Sequence, residues 1–265
     1  MDEYILICAY VLAGILGLCV GSFLNVVIYR LPREMSLSHP GSHCTKCDYS
    51  LKWYDNIPLL SWIMLGGRCR KCREPISPRY MIVELVNMAL WIASAILFFE
   101  KSPVYAVACA IVCSTLICIF FIDIEHMLIF NRFIIIIAVC GIIAMFYDGY
   151  TETWDHVIGA LAGGGVLAIL YFGAIALLKR EAMGFADVKL VCAAGLLLGW
   201  QRLIFAMLVA SVVGSIVMLT VNRVKNQEKD TEYPFGPFIC GGVLLALLAG
   251  EPILEWYVGL IMGQF

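Results

Sequence analysis

Apolar residues run along this chain in long blocks, separated by short polar breaks. The blocks cover residues 4–29, 81–99, 104–124, 132–147, 156–178, 186–199, 202–221 and 236–262. A membrane crossing needs roughly 20 mostly apolar residues. Most blocks meet that length, 186–199 is short, and the last is interrupted by "GEPILE" from Gly250 to Glu255. The pattern predicts an all-α polytopic membrane protein with seven or eight transmembrane helices. The first block is long and is preceded by Asp2 and Glu3 rather than by basic residues. It therefore reads as a retained span and not as a cleaved signal peptide. Composition agrees: 62% of residues are hydrophobic, 14% are charged, and mean hydropathy is +0.90.

The basic residues assign the two sides. Nine of the 18 Lys and Arg residues lie between Arg30 and Arg79. Lys179, Arg180 and Lys189, then Arg223, Lys225 and Lys229, and Arg132 fall on the same side when the spans alternate, leaving Lys101 and Arg202 on the other. The positive-inside tendency makes the richer side cytoplasmic and puts the N-terminus outside. The loop "DGYTETWD", Asp148 to Asp155, carries acids and no bases, as an outer loop should.

One sizeable polar stretch interrupts this scheme. Three segments follow: a first helix at 1–29, a cytoplasmic insert at 30–80 and a polytopic domain at 81–265. The insert holds "CTKC" (Cys44, Cys47) and "CRKC" (Cys69, Cys72), two C-x-x-C pairs 21 residues apart. That spacing suits a tetrahedral four-thiolate zinc site, each tight turn presenting two sulfurs. Cytosolic thiols stay reduced, which disfavours disulfides. Four thiolates leave no open position, so the metal is expected to be structural and to supply much of the insert's folding energy. His43 beside Cys44 is expected to be a bystander. The other eight cysteines lie in apolar blocks as small hydrophobes.

Few acids touch the spans: Glu84, Asp123, Glu125, Asp187, Glu251 and Glu255. A single acid at a helix end can be a cap or a headgroup contact, and Asp187 before "VKLVCAAGLLLGW" suits an N-cap. Two acids at matched depth on different spans point further, because ionisable groups at membrane depth are functional candidates by default. Asp123 ends an inward-running span and Asp187 begins an outward-running one. Two adjacent carboxyls cannot both ionise cheaply, so such a pair can divide the work of general acid and general base on one water. No Ser-His-Asp set, H-E-x-x-H motif or phosphate loop competes with them, and no nucleic-acid partner is expected. Gly184 in "MGFAD" lets the backbone turn tightly before the second acid.

In order along nearly the whole chain, several motifs resemble those of the type IV prepilin peptidases, bacterial membrane aspartyl proteases of the G-x-G-D type. They are "GSFLNVVIYRLP" (Gly21 to Pro32), the two cysteine pairs, "SPRYMIVELV" (Ser77 to Val86), "IDIEHMLIFN" (Ile122 to Asn131), "GFADVK" (Gly184 to Lys189) and "PFGPF" (Pro234 to Phe238). The resemblance implies that Asp123 and Asp187 are catalytic, that Gly184, Ala186 and Lys189 form the active-site loop, and that residues 81–265 are the peptidase domain. The implied substrates are type IV prepilins and pseudopilins, with a basic leader, then Gly, then a hydrophobic helix. Cutting after that Gly would occur at the cytoplasmic face of the bacterial inner membrane, serving type IV pili or type II secretion. Many members also N-methylate the new N-terminus with S-adenosylmethionine, an activity associated with the N-terminal half.

Three positions depart from the resemblance. Ala186 stands where glycine is usual, Phe130 where proline is usual, and Met88 where many members have the glycine linked to methylation. Glu84 is expected in the groove that meets the basic leader and Arg30 is expected to anchor the insert, while Asn25 suits either role. "PFGPF" is expected to shape the start of a helix, with a place along the active site as the alternative. Two other classes fit the same acids: a transporter using them as a proton relay, or a non-catalytic assembly protein docking through its zinc insert. The sequence leaves oligomeric state open.

Overall fold

The computed structural model describes residues 3–148, 152–179, 183–225 and 233–261. Arg180, Lys229 and Gly149 to Thr151, used above to assign the sides, lie outside the described residues. The elements in order are α1 (Glu3–Arg30), α2 (Leu60–Met64), α3 (Arg79–Phe98), α4 (Pro103–His126), α5 (Asn131–Tyr147), α6 (Thr153–Leu178), α7 (Phe185–Lys225) and α8 (Gly236–Ile261). Among the described residues there is no strand, only two isolated bridges in the insert. Six helices are long and apolar enough to cross a membrane, and α5 is a shorter apolar helix. The all-α architecture read from the apolar blocks is therefore the observed one.

Helix α7 explains how two blocks become one element. An unbroken 41-residue helix would be about 60 Å long, twice the hydrocarbon thickness. It is interrupted at Gly199, whose φ of 76° and ψ of 167° suit glycine alone. The chain doubles back there. Gly163 of α6 faces Val191 before the break and Leu203 after it, so the two arms run side by side. At the crossing of α6, a methyl group on Gly159 would come within 2.7 Å of the Gly195 carbonyl and 2.8 Å of the Trp200 nitrogen. The interruption anticipated within the last block is not found: α8 continues through Pro252 to Ile261. Membrane helices tolerate proline because neighbouring groups satisfy the freed carbonyl.

The chain divides into two compact units, Met1–Ile96 and Leu97–Phe265. In the first, α1 and α3 pack closely. The Asn87 Nδ2 donates to the Gly17 carbonyl at 2.7 Å, and the Asn25 Nδ2 to the Tyr80 carbonyl at 3.0 Å. Asn25 and Arg30 are both buried, Arg30 donating to the carbonyls of Ser36 and Gly41. Both thus fix the chain around the insert.

In the second unit, α4 starts at Ser102, whose hydroxyl accepts the Tyr105 N–H at 3.2 Å, with Pro103 at the first helical position. Near this end sits a buried polar cluster of Tyr105, Asp148, His156 and Arg202. The break at Gly199 frees the carbonyls of Leu196 and Leu198. His156 Nδ1 donates to the first at 2.9 Å and Arg202 Nε to the second at 2.8 Å. Asp148 accepts from the Arg202 guanidinium and lies 3.8 Å from His156 Nε2. One buried carboxylate thus holds the guanidinium that caps the Leu198 carbonyl, with His156 beside it capping the Leu196 carbonyl. Removing one partner of a buried ion pair typically costs about 3–5 kcal/mol. Arg202→Met is accordingly expected to lower stability in detergent strongly, and Asp148→Asn/Arg202→Met to lower it less, as read by thermal unfolding. Equal losses in both variants would refute this account.

Candidate active site and metal centre

The two sequence-assigned acids meet at the end of the second unit opposite the Arg202 cluster. Asp123 lies 18 residues beyond Tyr105 on α4, about 27 Å along the axis and close to one hydrocarbon thickness. Helix α4 closes just after it: Met127 adopts φ 53° and donates its N–H to the Asp123 carbonyl at 2.9 Å. Asp187 sits in the first turn of α7, where its N–H bonds the Gly184 carbonyl at 3.1 Å. Both carboxyls are buried, at 5% and 7% exposure, and lie within electrostatic reach of one another. Neither has a basic partner among the described residues. Their neighbours are instead backbone groups, Gly236 at Asp123 and Gly184 at Asp187, and the charge of the other acid.

The surrounding backbone explains the glycines. Gly184 is exposed, and a methyl group there would lie 3.4 Å from Asp187 Oδ2, so the approach to the acid stays open. Ala186 is half-buried within the first turn of α7, a helical position where alanine has no backbone penalty. Lys189 points across: its Nζ donates to Asn131 Oδ1 at 3.0 Å and lies 5.1 Å from the centre of the Phe185 ring. It therefore ties the start of α7 to the start of α5, joining the two aspartate motifs. Phe130, in extended conformation, simply precedes α5.

The sequence reading gave "PFGPF" a place along the site only as an alternative and named no residue of it. "PFGPF" does begin α8, but Gly236 also donates its backbone N–H to the Asp123 carboxylate. A Cβ at 236 would collide with Asp123 Oδ2. The buried Cys240, one turn on, is within the electrostatic range of both acids. The available signal was a Gly-Pro step, Gly236 before Pro237, that opens a helix. A misplacement of about 1 Å at a reacting group can cost 10²-fold. Gly236→Ala is therefore expected to reduce kcat by about that factor with a smaller change in KM; unaltered kcat would remove Gly236 from the site.

The first unit holds the cysteine cluster. Its two knuckles are built alike. Cys44 N–H bonds the Tyr49 carbonyl and Cys69 N–H the Glu74 carbonyl; Asp48 and Arg73, both with positive φ, bond back to the Cys44 and Cys69 carbonyls. The four sulfurs lie within 4.8 Å of one another, with Cys44–Cys72 at 3.8 Å and Cys47–Cys69 at 4.0 Å. A tetrahedral ion with metal–sulfur bonds of about 2.3 Å requires sulfurs about 3.8 Å apart, so the residues fit a metal. The Cys72 and Lys71 N–H groups draw the Cys69 thiol down to about 6. Against the Glu74 N–H, burial and the neighbouring sulfurs push Cys72 up to about 12, as expected where one proton is shared among crowded thiols. His43 bonds the Gly41 carbonyl and stays outside the cluster. Asp55 joins the knuckles, accepting from Tyr49, Lys52 and Arg70. Burial alone would raise its carboxyl, but the Arg70 guanidinium and the other two donors hold it below the usual range.

Glu84 is buried, and its carboxylate accepts the Leu59 N–H at 2.7 Å and the Ser22 hydroxyl. It anchors the insert, whose Leu59 has a strained φ of 64°.

A polytopic helical membrane protein with two buried carboxyls brought together at one end is the class that this fold and site define. The profile of the Bacterial Peptidase A24 N-terminal domain matches residues 15–98, and that of the Type IV leader peptidase family matches 110–219. The chain is 34% identical to a prepilin leader peptidase/N-methyltransferase of Aeromonas salmonicida (strain A449), over 95% of this chain and 94% of that one. It is 35% identical to the protein of that name from Aeromonas hydrophila, over 93% of each chain. The Pseudomonas aeruginosa protein of the same name is 31% identical over 94% of each. No solved structure matches. The chain belongs to the type IV leader peptidase family, an inner-membrane protein class, and the transporter and assembly readings are not favoured.

Proposed function

We propose that this protein cleaves the basic leader from type IV prepilins and pseudopilins, after the leader glycine, with Asp123 and Asp187 activating the attacking water. The observation that carries it is the pair of buried carboxyls, one from α4 and one from α7, without basic partners. One carboxylate takes a proton from water while the other, protonated, polarises the scissile carbonyl; the first then returns its proton to the leaving amine. Gly184 leaves room for the substrate backbone, and the Lys189–Asn131 bond keeps the two motifs in register. The distribution of basic residues supports a cytoplasmic insert and active site with the N-terminus outside.

Zinc is the metal that best suits four thiolates in a tetrahedral set, and it would be held by Cys44, Cys47, Cys69 and Cys72 as a structural ion.

N-methylation of the new N-terminus is a second reading, supported by the relatives named prepilin leader peptidase/N-methyltransferase. Its donor would be S-adenosylmethionine, which supplies an electrophilic methyl group. The residues around Met88 do not fit that donor: a methyl group on Gly17 would lie 2.9 Å from the Met88 Cα, so the α1–α3 seam is closed there.

The test of both readings is the N-terminal mass of a co-expressed prepilin. Loss of the leader is expected with the wild-type enzyme, and one added methyl group if the second activity is present. An uncut prepilin, across several prepilins, would refute the peptidase; a cut but unmethylated one would refute the second reading alone.

A further inference from the structure

A cavity of about 390 Å³ in the first unit belongs to neither the acids nor the metal cluster. One wall is a stripe of α1: Cys19, Ser22, Phe23, Val26 and Arg30, spaced to share one helix face. The other is the insert, from Leu37 to Ser42 and at Asn56 and Pro58. The stripe runs from apolar to cationic. From residue 19 to residue 30 it extends about 16 Å, close to the roughly 15 Å of hydrocarbon in one leaflet. Arg30 is 6% exposed, and its partners are the carbonyls of Ser36 and Gly41. No carboxylate pairs with it among the described residues, and no acid lines the cavity.

A buried guanidinium without a counter-ion favours an anion. We infer that this cavity is a binding slot for one anionic phospholipid, with its phosphate at Arg30 and an acyl chain along Cys19, Phe23 and Val26. The graded lining selects an amphiphile over a wholly soluble anion. It also disfavours S-adenosylmethionine, which carries a sulfonium and an ammonium against one carboxylate and would meet only a positive charge. Basic pockets beside membrane helices on the cytoplasmic side commonly take lipid headgroups. The inference does not depend on the peptidase reading.

The experiment is native mass spectrometry of the full-length, delipidated protein titrated with phosphatidylglycerol, phosphatidylcholine, glycerol 3-phosphate or S-adenosylmethionine. One phosphatidylglycerol should bind about tenfold more tightly than phosphatidylcholine: both offer a phosphate to Arg30, but the choline ammonium offsets that charge beside the cation, and a loss of about 1.4 kcal/mol is tenfold. Arg30→Gln should erase that preference, and Val26→Trp, which fills the apolar end and spares the cation, should weaken both lipids. Retained metal in each variant reports an intact insert; if Arg30→Gln loses metal, Val26→Trp decides. Equal binding of the two lipids by wild type, or lipid binding untouched by Val26→Trp, overturns the slot. Displacement of the lipid by glycerol 3-phosphate would instead make it a soluble phosphate site. Displacement by S-adenosylmethionine would make it the methyl-donor site.

Discussion

Replacing either aspartate by asparagine is expected to stop prepilin processing while the protein remains inserted and keeps its metal. Positioned general acids and bases contribute roughly 10²–10⁴-fold to rate, and Asp123→Asn and Asp187→Asn should each lose at least that. Asparagine is nearly isosteric, so the Gly236 N–H retains an oxygen to bond and the helix ends keep their geometry. Groups that act as a unit are not additive, so Asp123→Asn/Asp187→Asn should be little worse than either single variant. The N-terminal mass of a co-expressed prepilin, with membrane levels of each variant, reads the result. Processing that survives in both single variants would return the acids to the role of helix ends.

The second large effect concerns the cysteines. The insert has only short helical turns and two isolated bridges. Its other cross-links are few, chiefly Asp55 with Arg70 and Glu84 with Leu59. Structural zinc supplies about 10–16 kcal/mol at neutral pH, more than those bonds can replace. Cys47→Ser or Cys69→Ser, or a strong chelator, should therefore unfold residues 30–80 and expose them to protease. The spanning helices, held by apolar packing, should persist. Elemental analysis should find one zinc per wild-type chain. An insert that resists protease after the metal is stripped would disprove the structural role.

Much of this architecture was readable because membrane physics is blunt. Every apolar block became a helical segment, and the acids stood out because carboxyls are rare at that depth. The spacing of the four cysteines likewise specified a tetrahedron. What escaped reading depended on backbone contacts at a distance. Gly199 looks like any glycine until α6 packs against the break through Gly159. Arg202 reads as a stray outer base, yet it satisfies a carbonyl that only the break exposes. Gly236 acts through an N–H, which every residue type but proline possesses, so its contact with Asp123 left no trace in the sequence pattern. Pro252 suggested a helix end because the rule learned from water-soluble helices is weaker where neighbouring segments complete the bonding.

The arm of α7 that carries Asp187 runs from residue 185 to the break at Gly199. At 1.5 Å per residue it reaches only about 21 Å, some 9 Å short of a full hydrocarbon thickness. The second acid is therefore recessed below the bilayer surface whenever the break sits at the opposite face. Such an enzyme gauges depth before it reads side chains. If the pair cleaves as proposed, a scissile bond is admitted only when its own flanking helix carries it down into the lipid, so loose polypeptides in the aqueous phase would be spared by geometry.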